Sequence, residues 1–266
     1  DKGKRYLDFS FLAYCSDPKF SKTSTIDDWS CKSCKKYPNV TATTFDGGVI
    51  TDAKGFVAYD KDANEIIVSF SGTDPTSIRN WIDDIQIRKV DYPYCSDSNC
   101  QVHKGFLNTF NSVKDEIISL VHKYKKKHPS ASITSTGHSL GAAMAALGMA
   151  ELTQQGYELT SAYTYGMPRV GDEAFQEWYK SKIIGTYRVT HHRDPVPHLP
   201  TKSMGFKHMP YEAFYVHDSK DIQHCNFDGE DKSCSNQYKA DINVLDHASY
   251  MDVEFTDTYL SKGCEF

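Results

Sequence analysis

Short apolar runs alternate with segments of helical periodicity along most of the chain, which has 266 residues. Apolar and β-branched residues gather in runs typical of buried strands at residues 65–70, 132–136, 161–165 and 185–190. Between or after these runs, helices are predicted at residues 106–127, 142–155 and 172–182. Strands and helices that alternate in this way form a largely parallel sheet with helices on both faces.

The N-terminal part of the chain shows no such alternation. Residues 1–44 are rich in Ser, Lys and Thr, and their pattern predicts an irregular segment. Residues 48–50 and 55–59 flank a polar turn at residues 52–54, which predicts a β-hairpin. Because a hairpin adds antiparallel pairing, the sheet is expected to be mixed. The chain shows no internal repeat or long linker, so a single α/β domain is predicted over residues 1–266.

Composition and charge narrow the function classes. The chain is 39% hydrophobic and 24% charged, as expected of one globular domain, and its formal net charge is −5. Its one basic block, at residues 123–128, ends a predicted helix, where positive charge suits the helix dipole, so nucleic acid is not expected as a partner. No apolar run approaches the roughly 20 residues that a membrane span needs. The sequence lacks an initiator Met and a signal peptide, which suggests a mature or trimmed form.

Cysteine usage points to an oxidising compartment. The chain has eight cysteines, an even number placed mostly in polar loops: Cys15, Cys31, Cys34, Cys95, Cys100, Cys225, Cys234 and Cys264. Such a set predicts disulfides in a secreted protein. The alternative is zinc, since Cys31-x-x-Cys34 has metal-like spacing, but no second half-site completes it. Asn39-Val40-Thr41 is a glycosylation sequon in a predicted loop.

The stretch with the clearest chemistry is Gly-His-Ser-Leu-Gly at residues 137–141. A strand-like run precedes it and a helix-forming run rich in alanine follows it. A G-x-S-x-G turn between strand and helix forces the serine into an exposed, strained position, which favours its use as a nucleophile. Ser139 is therefore the predicted nucleophile, and the two glycines keep Cβ atoms out of the tight turn.

A serine nucleophile needs a general base and a group that orients the base. Asp194 follows a predicted strand directly and is the best-placed acid, with a loop carboxylate that caps backbone N–H groups as the structural alternative. The base must follow Asp194 in the chain. His247, just before the terminal helix, is the preferred candidate, and the other candidates are His198, His208, His217 and His224. Asp246 is adjacent to His247 but cannot easily fold back to orient its ring.

The oxyanion of the transition state needs hydrogen-bond donors. One is predicted to be the backbone N–H of Leu140, at the positive end of the helix that follows the nucleophile. The second is predicted in the loop after residues 65–70, where Thr73 offers both an N–H and a hydroxyl. Residues next to the catalytic loops are candidates for the walls of an acyl pocket: His138, Met167, Pro168, Val196 and Leu199.

Residues 74–85 open with helix-start signals and continue as an amphipathic helix. The residues on its apolar face are Ile78, Trp81, Ile82 and Ile85. Periodicity alone favours a surface helix packed on the core. The alternative is a mobile lid over about residues 75–85, which covers an apolar active site in water and opens at a lipid surface.

Together these motifs resemble the class 3 lipase family, the fungal-type triacylglycerol lipases, which also includes feruloyl esterases and phospholipases A1. The matching segments are SFSGTDPTSIRNWIDDI, VHKGFLNTF, GHSLGAAMA, YTYGMPRVG, HHRDPVPHLP and LDHASYM. The resemblance implies an α/β-hydrolase fold, a Ser139–Asp194–His247 triad, an oxyanion hole at Thr73 and Leu140, and a lid that carries Trp81. It also implies four disulfides, which pair Cys15 with Cys264, Cys31 with Cys34, Cys95 with Cys100, and Cys225 with Cys234.

The chain departs from the family pattern in two places. Ser71 stands where an arginine commonly precedes the oxyanion turn, and Asp74-Pro75 is inserted before the lid. We expect a secreted, monomeric acylglycerol hydrolase that acts at a lipid surface through an acyl-enzyme and needs no cofactor or metal. The alternatives are a feruloyl or short-chain carboxylesterase, a phospholipase A1, or a catalytically silent binding protein.

Overall fold

A mixed sheet of eight strands forms the centre of the computed structural model, which describes residues 2–21, 25–48, 51–85, 87–95, 99–183, 185–217, 220–238 and 241–265. The strands of the described residues are β1 (Val40–Asp46), β2 (Lys54–Asp60), β3 (Glu65–Phe70), β4 (Lys89–Asp91), β5 (Gln101–His103), β6 (Ser132–His138), β7 (Ser161–Tyr165), β8 (Thr186–His191), β9 (Glu212–Tyr215), β10 (Gln223–His224), β11 (Ser249–Tyr250) and β12 (Val253–Glu254). The α-helices are α1 (Lys2–Tyr14), α2 (Ile78–Asp84), α3 (Lys104–Asn111), α4 (Lys114–Lys127), α5 (Leu140–Gln154), α6 (Glu173–Lys182), α7 (Val244–His247) and α8 (Asp257–Cys264).

The order of strands in the large sheet is β1-β2-β3-β6-β7-β8-β9-β10. The first three strands pair antiparallel, the strands from β3 to β9 pair parallel, and β10 returns antiparallel to β9. In this register Phe70 at the end of β3 lies opposite Gly137 near the end of β6. The loops that follow these two strands therefore emerge side by side at one edge of the sheet.

Apolar side chains on β3 alternate between the two faces of the sheet. Ile66, Val68 and Phe70 belong to a core shared with α3, α4 and α5, whereas Ile67 belongs to a second core shared with α1 and α8. All four side chains are almost fully buried. The sheet is thus covered on both faces, as the strand pattern predicted.

The N-terminal part of the chain differs from the sequence prediction. Residues 2–14 form α1, and the partner of β2 is β1 at residues 40–46, not residues 48–50. Val49 and Ile50 lie outside the described residues. The sequence pattern did not indicate α1, because six of the seven residues from Leu7 to Ala13 are buried. No stripe of polar residues therefore marks the helical period. The helix predicted at residues 106–127 is also two helices, α3 and α4, separated at Ser112 and Val113.

Four disulfides join the eight cysteines in the pairs that the family resemblance implied. Cys15–Cys264 links the end of α1 to the end of α8, and its partners are 249 positions apart in sequence. In the chain-entropy account, closing so long a loop stabilises the fold by about 5 kcal/mol at most. The other three disulfides close short local loops.

A group of buried charges lies beneath the loops that follow β8. The guanidinium of Arg169 donates to both carboxylate oxygens of Glu230, at 2.7 and 2.9 Å, and also to the carbonyls of His198 and Pro200. The side chains of Arg169 and Glu230 are 3% and 0% exposed. Because breaking a buried ion pair leaves an uncompensated charge, this pair is a sensitive point of the fold.

Replacing Glu230 with Gln is expected to lower the free energy of unfolding by about 3 kcal/mol, because the amide leaves the Arg169 guanidinium without a counter-charge. The matched control is Glu173→Gln. Glu173 pairs with Lys207 at the surface and its side chain is 74% exposed, so its loss should cost less than about 1 kcal/mol. Equilibrium unfolding in urea with the disulfides intact measures both changes.

The effect of Glu230→Gln should depend on pH. Burial alone raises the pKa of Glu230, but the hydrogen bonds from Arg169 and from the backbone N–H of His208, together with the positive charge of Arg169, outweigh it and hold that pKa well below its ordinary range. A carboxylate with a lowered folded-state pKa stabilises the fold above its unfolded-state pKa and loses that contribution as the pH falls toward the folded value. The difference between wild type and variant should therefore shrink below about pH 4. An equal difference at pH 7 and pH 2.5 would contradict the assignment.

Candidate active site

Ser139 lies on the sharp turn between β6 and α5. Its backbone has φ +59° and ψ −127°, a conformation that costs a non-glycine residue free energy and that the surrounding fold must hold in place. Its N–H donates to the carbonyl of Tyr165 on β7, and its carbonyl accepts from the N–H of Ala142 in α5. A Cβ on Gly137 would lie 2.2 Å from the carbonyl oxygen of Gly141. The turn is therefore the nucleophile elbow that the motif predicts.

Asp194 and His247 meet at the same edge of the sheet. Asp194 follows β8 and His247 ends α7, and the Nδ1–H of His247 donates to the Asp194 carboxylate at 2.8 Å. Asp194 also accepts from the N–H of Val196 and from the hydroxyl of Tyr250. Among the described histidines, only His247 hydrogen-bonds to Asp194. His208, by contrast, is buried and donates from Nε2 to the carbonyl of Pro197.

The surroundings of Asp194 keep it ionised. Its side chain is buried, and burial alone would raise the pKa of the carboxyl group. The nearby His247 and the hydrogen bonds from His247, Tyr250 and Val196 outweigh burial and hold that pKa below its usual range. Asp194 can therefore orient the imidazole of His247 and stabilise its cation.

Two reactive atoms of the site are left without a partner. Ser139 Oγ and His247 Nε2 are both buried, and neither has a hydrogen-bond partner among the described residues. Both residues line one cavity of about 410 Å³, together with Thr73 and His138. In a free enzyme, catalytic hydrogen bonds are often long and tighten only when substrate binds. The structure thus brings together Ser139, the predicted nucleophile, His247, the predicted base, and Asp194, the predicted orienting acid.

The loop after β3 packs directly against the elbow. A Cβ on Gly72 would lie 2.7 Å from the carbonyl oxygen of His138, and a Cβ on Gly141 would lie 2.3 Å from that of Phe70, so both contacts require glycine. The neighbouring Thr73 has a buried Oγ1 with no hydrogen-bond partner in the part of the chain that the structure describes. Leu140 is the first residue of α5, so its N–H is not used within the helix. Two free donors therefore lie beside Ser139, as expected of an oxyanion hole.

Sequence reasoning missed the tyrosines of the site. Burial, with the proximity of the His247 ring, holds the pKa of His138 well below its usual range, so the His138 ring is neutral. Its Nε2–H donates to the carbonyl of His247 at 2.9 Å, which leaves Nδ1 to accept from the hydroxyl of Tyr14 at 2.9 Å. That hydroxyl also accepts from the N–H of Gly72. Tyr14 lies on α1, which the pattern did not predict. Tyr250 follows His247 by three residues, and that spacing was the only available signal.

The part of the chain that carries Ser139 and Asp194 matches a known protein family. A model of the family described as Lipase (class 3) matches residues 67–204, which is more than half of the chain. The chain belongs to the class 3 lipase family. The α/β-hydrolase fold predicted from the sequence is confirmed.

Relatives of this class 3 lipase family member include fungal enzymes. The lipase of Rhizomucor miehei is 36% identical over 230 residues, which cover 85% of this chain and 62% of the relative. The secreted mono- and diacylglycerol lipase A of Penicillium cyclopium is 34% identical over 188 residues, which cover 68% of this chain and 60% of the relative. The structure of the Rhizomucor miehei triacylglyceride lipase matches with a TM-score of 0.84 and 32% identity, and covers 98% of this chain and 96% of that one. This chain thus spans about 62% of the length of the curated relatives it matches.

The segment predicted as a lid forms a short 3₁₀ turn, Pro75–Ser77, followed by α2. Its predicted apolar face points inward. The polar residues of the helix are exposed, whereas the residues of the apolar face are buried or half-buried: Ile78, Trp81, Ile82 and Ile85. Ile78 lines the cavity that contains Ser139. Trp81 and Ile85 line a second cavity of about 450 Å³, which also reaches Thr73 and Leu140. The helix therefore lies over the boundary between two cavities that share the oxyanion loop.

The predicted walls of the acyl pocket are only partly matched. His138 lines the cavity with Ser139, but four of the predicted residues line neither of the two cavities: Met167, Pro168, Val196 and Leu199. Three of these side chains, those of Met167, Pro168 and Val196, are buried, and that of Leu199 is half-buried. The N–H of Arg169 donates to the carbonyl of Leu199, and its guanidinium donates to the carbonyls on both sides of that residue, which fixes the backbone of this loop. The position of these residues next to the catalytic loops in sequence therefore did not determine where their side chains lie.

Both departures from the family pattern find local substitutes. Ser71 donates from its N–H and its hydroxyl to the carbonyl of Lys54, which holds the start of the oxyanion loop. The inserted Asp74 accepts from the N–H of Thr76 and so caps the turn before α2. Asp74 also pairs with Lys19 at 2.6 Å, and Lys19 in turn contacts Asp257 at 3.0 Å. The segment predicted as a lid is thus linked, through Asp74 just before it, to Lys19 and Asp257, which lie earlier and later in the chain.

Two further predictions concern the surface. Asn39 of the sequon is exposed just before β1, and its amide contacts the carboxylate of Asp62. None of the helices in the described part of the chain has the length and apolar content that crossing a bilayer requires.

Proposed function

We propose that this class 3 lipase family member is a secreted serine ester hydrolase that cleaves acylglycerols at a lipid–water interface. The observation that carries the proposal is the pair of partnerless atoms, Ser139 Oγ and His247 Nε2, in one cavity. Behind them Asp194 holds the other ring nitrogen of His247. This arrangement supplies a nucleophile, a base and an orienting acid without any other group.

The reaction proceeds through an acyl-enzyme. Ser139 Oγ attacks the ester carbonyl carbon while His247 Nε2 takes its proton, and Asp194 stabilises the imidazolium that forms. The Leu140 N–H and the Thr73 N–H and hydroxyl bind the negative oxygen. The tetrahedral intermediate collapses, and His247 gives the proton to the leaving alcohol. Water then attacks the acyl-enzyme by the same steps in reverse order and releases the fatty acid.

An acylglycerol substrate is supported by the relatives and by α2. The Rhizomucor miehei enzyme is a triacylglyceride lipase, and the Penicillium cyclopium enzyme acts on mono- and diacylglycerols. In our proposal α2 is a lid over the active site, whose inward apolar face becomes a lipid-contacting surface when the lid opens.

Secretion of this protein rests on two points. Its four disulfides form in oxidising compartments, and the Penicillium cyclopium relative is named as secreted. All catalytic groups come from one chain, so we expect the enzyme to act as a monomer. Asn39 is the expected glycosylation site.

The test compares hydrolysis of one ester below and above its solubility limit. We expect the rate of tributyrin hydrolysis to rise sharply, by about tenfold or more, once droplets form, because the interface favours the open lid. Smooth saturation below the solubility limit would contradict the lipase assignment and favour a soluble short-chain or feruloyl esterase. Preference for a phosphatidylcholine emulsion over triolein would instead indicate a phospholipase A1.

A further inference from the structure

The three residues before Asp194 all bind Asp246, the residue before His247. His191 donates from Nδ1–H to the carbonyl of Asp246 at 2.9 Å. His192 Nδ1 lies 3.1 Å from Asp246 Oδ2, and the N–H of Arg193 donates to the same oxygen at 3.0 Å. The loop that carries the orienting acid is therefore fastened, residue by residue, to the loop that carries the base.

Asp246 is nearly enclosed by these contacts. Its side chain is 14% exposed, and its second oxygen, Oδ1, accepts from the side-chain amide of Asn243 at 2.8 Å. The Asn243 N–H in turn donates to the carbonyl of Arg193 at 2.8 Å. The carboxylate thus joins both loops through charge-assisted hydrogen bonds, which are stronger than those between neutral groups.

The contacts between these two loops hold His192 in a strained backbone conformation. Its backbone has φ +37°, a left-handed conformation that a histidine adopts at a cost in free energy. The N–H of His192 is held by the carbonyl of Tyr215 on β9, and its ring packs edge-on against Tyr238. Asp246 binds the ring from the other loop. The strained turn therefore persists only while both loops stay in register.

We propose that Asp246 is a positioning residue, which sets the distance and orientation of His247 relative to Asp194 and Ser139. This inference rests on the proposed serine hydrolase function. His247 is then located from two sides. Its own carbonyl is bound by His138 Nε2–H, and the residue before it is held by His191 at its carbonyl and by His192 and Arg193 at its carboxylate. Asp246 does not touch the imidazole itself, so its effect passes through the backbone.

The experiment measures kcat and KM of the full chain for dissolved p-nitrophenyl acetate, which needs no interface. Asp246→Asn keeps the shape of the side chain but removes its charge, and Asp246→Ala removes the hydrogen bonds of the side chain while the backbone bond from His191 remains. We expect kcat to fall about tenfold for Asn and about 100-fold for Ala, with KM within about twofold, because a displacement of about 1 Å costs about 100-fold in rate. The rate of Ser139 labelling by a phosphonate ester should fall in parallel.

The matched control is Asp241→Asn. Asp241 binds the guanidinium of Arg193 on the outside of the same loop, with its side chain 70% exposed, and makes no contact with Asp246. We expect its kcat to match wild type. Urea midpoints of all variants identify any loss caused by unfolding, and if Asp246→Ala fails to fold, Asp246→Asn decides alone.

The outcomes separate this inference from the function on which it rests. If Ser139→Ala keeps full esterase activity, the proposed function fails. If Ser139→Ala is inactive but folded Asp246→Asn has wild-type kcat and labelling rate, only the role of Asp246 is overturned. A rise in KM at constant kcat would equally overturn it, since a positioning residue acts on the chemical step.

Discussion

Replacing Ser139 with Ala should lower kcat for ester hydrolysis by about 10⁶-fold, because no nucleophile then remains to form the acyl-enzyme. The oxyanion donors at Thr73 and Leu140 stay in place, so a residual acceleration of about 10³-fold over water is expected. The measurement is release of fatty acid from emulsified triolein, followed by titration. Undiminished hydrolysis would exclude Ser139 as the nucleophile.

Loss of activity in this variant should not reflect loss of structure. Ser139 Oγ is buried and has no hydrogen-bond partner among the described residues, so removing it breaks no hydrogen bond. Alanine meets the same positive φ as serine, and the urea midpoint should stay at or above that of wild type. Ser130→Ala, at an exposed position before β6, is the control and should keep full activity. In the wild-type protein, a phosphonate ester should label Ser139 in a one-to-one ratio to the protein. Failure to label would favour a catalytically silent binding protein.

Three residues that the sequence predicted as a triad meet in the structure, and local pattern marked each of them. Ser139 is marked by two glycines that the tight turn requires, Asp194 follows a strand whose end could be read from the chain, and His247 lies after Asp194, before the predicted terminal helix. Parallel strands then bring their carboxyl ends to one edge without further information. Ser139 and Asp194 thus meet because each follows a parallel strand whose position hydrophobic patterning predicted, whereas His247 is brought to them by the packing of α7.

The supporting residues could not be predicted in this way. Tyr14 lies on α1, which is buried on nearly all sides, and it reaches His138 across 124 positions of sequence. Asp246 contacts His192 and Arg193 only because two loops from distant parts of the chain pack together. Such contacts depend on tertiary geometry, for which a single sequence carries no periodic signal. The positions of the predicted acyl-pocket residues depend on tertiary geometry too, since Arg169 holds the backbone on both sides of Leu199.

The two cavities under α2 give the lid proposal a physical basis. Thr73 lines both, with Ser139 and His247 on one side and with Trp81 and Phe106 on the other. Trp81 stacks on Phe106 with ring centroids 6.3 Å apart, so an aromatic contact helps to hold α2 in the position observed. Opening α2 would merge the two cavities around the oxyanion loop. An extended acyl chain would then lie on one side of the scissile bond and the alcohol on the other.

Replacing Asp194 with Asn should lower kcat by about 10⁴-fold, which corresponds to about 5.5 kcal/mol of transition-state stabilisation. The amide removes the charge that stabilises the imidazolium. It also presents an N–H group toward Nδ1 of His247, which favours the tautomer with its proton on Nε2. That nitrogen can then no longer accept the proton of Ser139. KM should change little, because Asp194 is buried behind His247 and does not line the cavity.

Tyr250→Phe provides the matched comparison for Asp194→Asn. It removes the second donor to Asp194 Oδ2 but keeps the carboxylate and its bond to His247. We expect a loss of about tenfold or less in kcat, since one hydrogen bond to a charged group contributes about 1.5–3 kcal/mol and most of it stabilises ground state and transition state alike. Equal losses in the two variants would mean that Tyr250 matters as much as the charge itself. A small loss in Asp194→Asn would instead mean that another group orients His247, and the carbonyl of His247 held by His138 would be the first place to look.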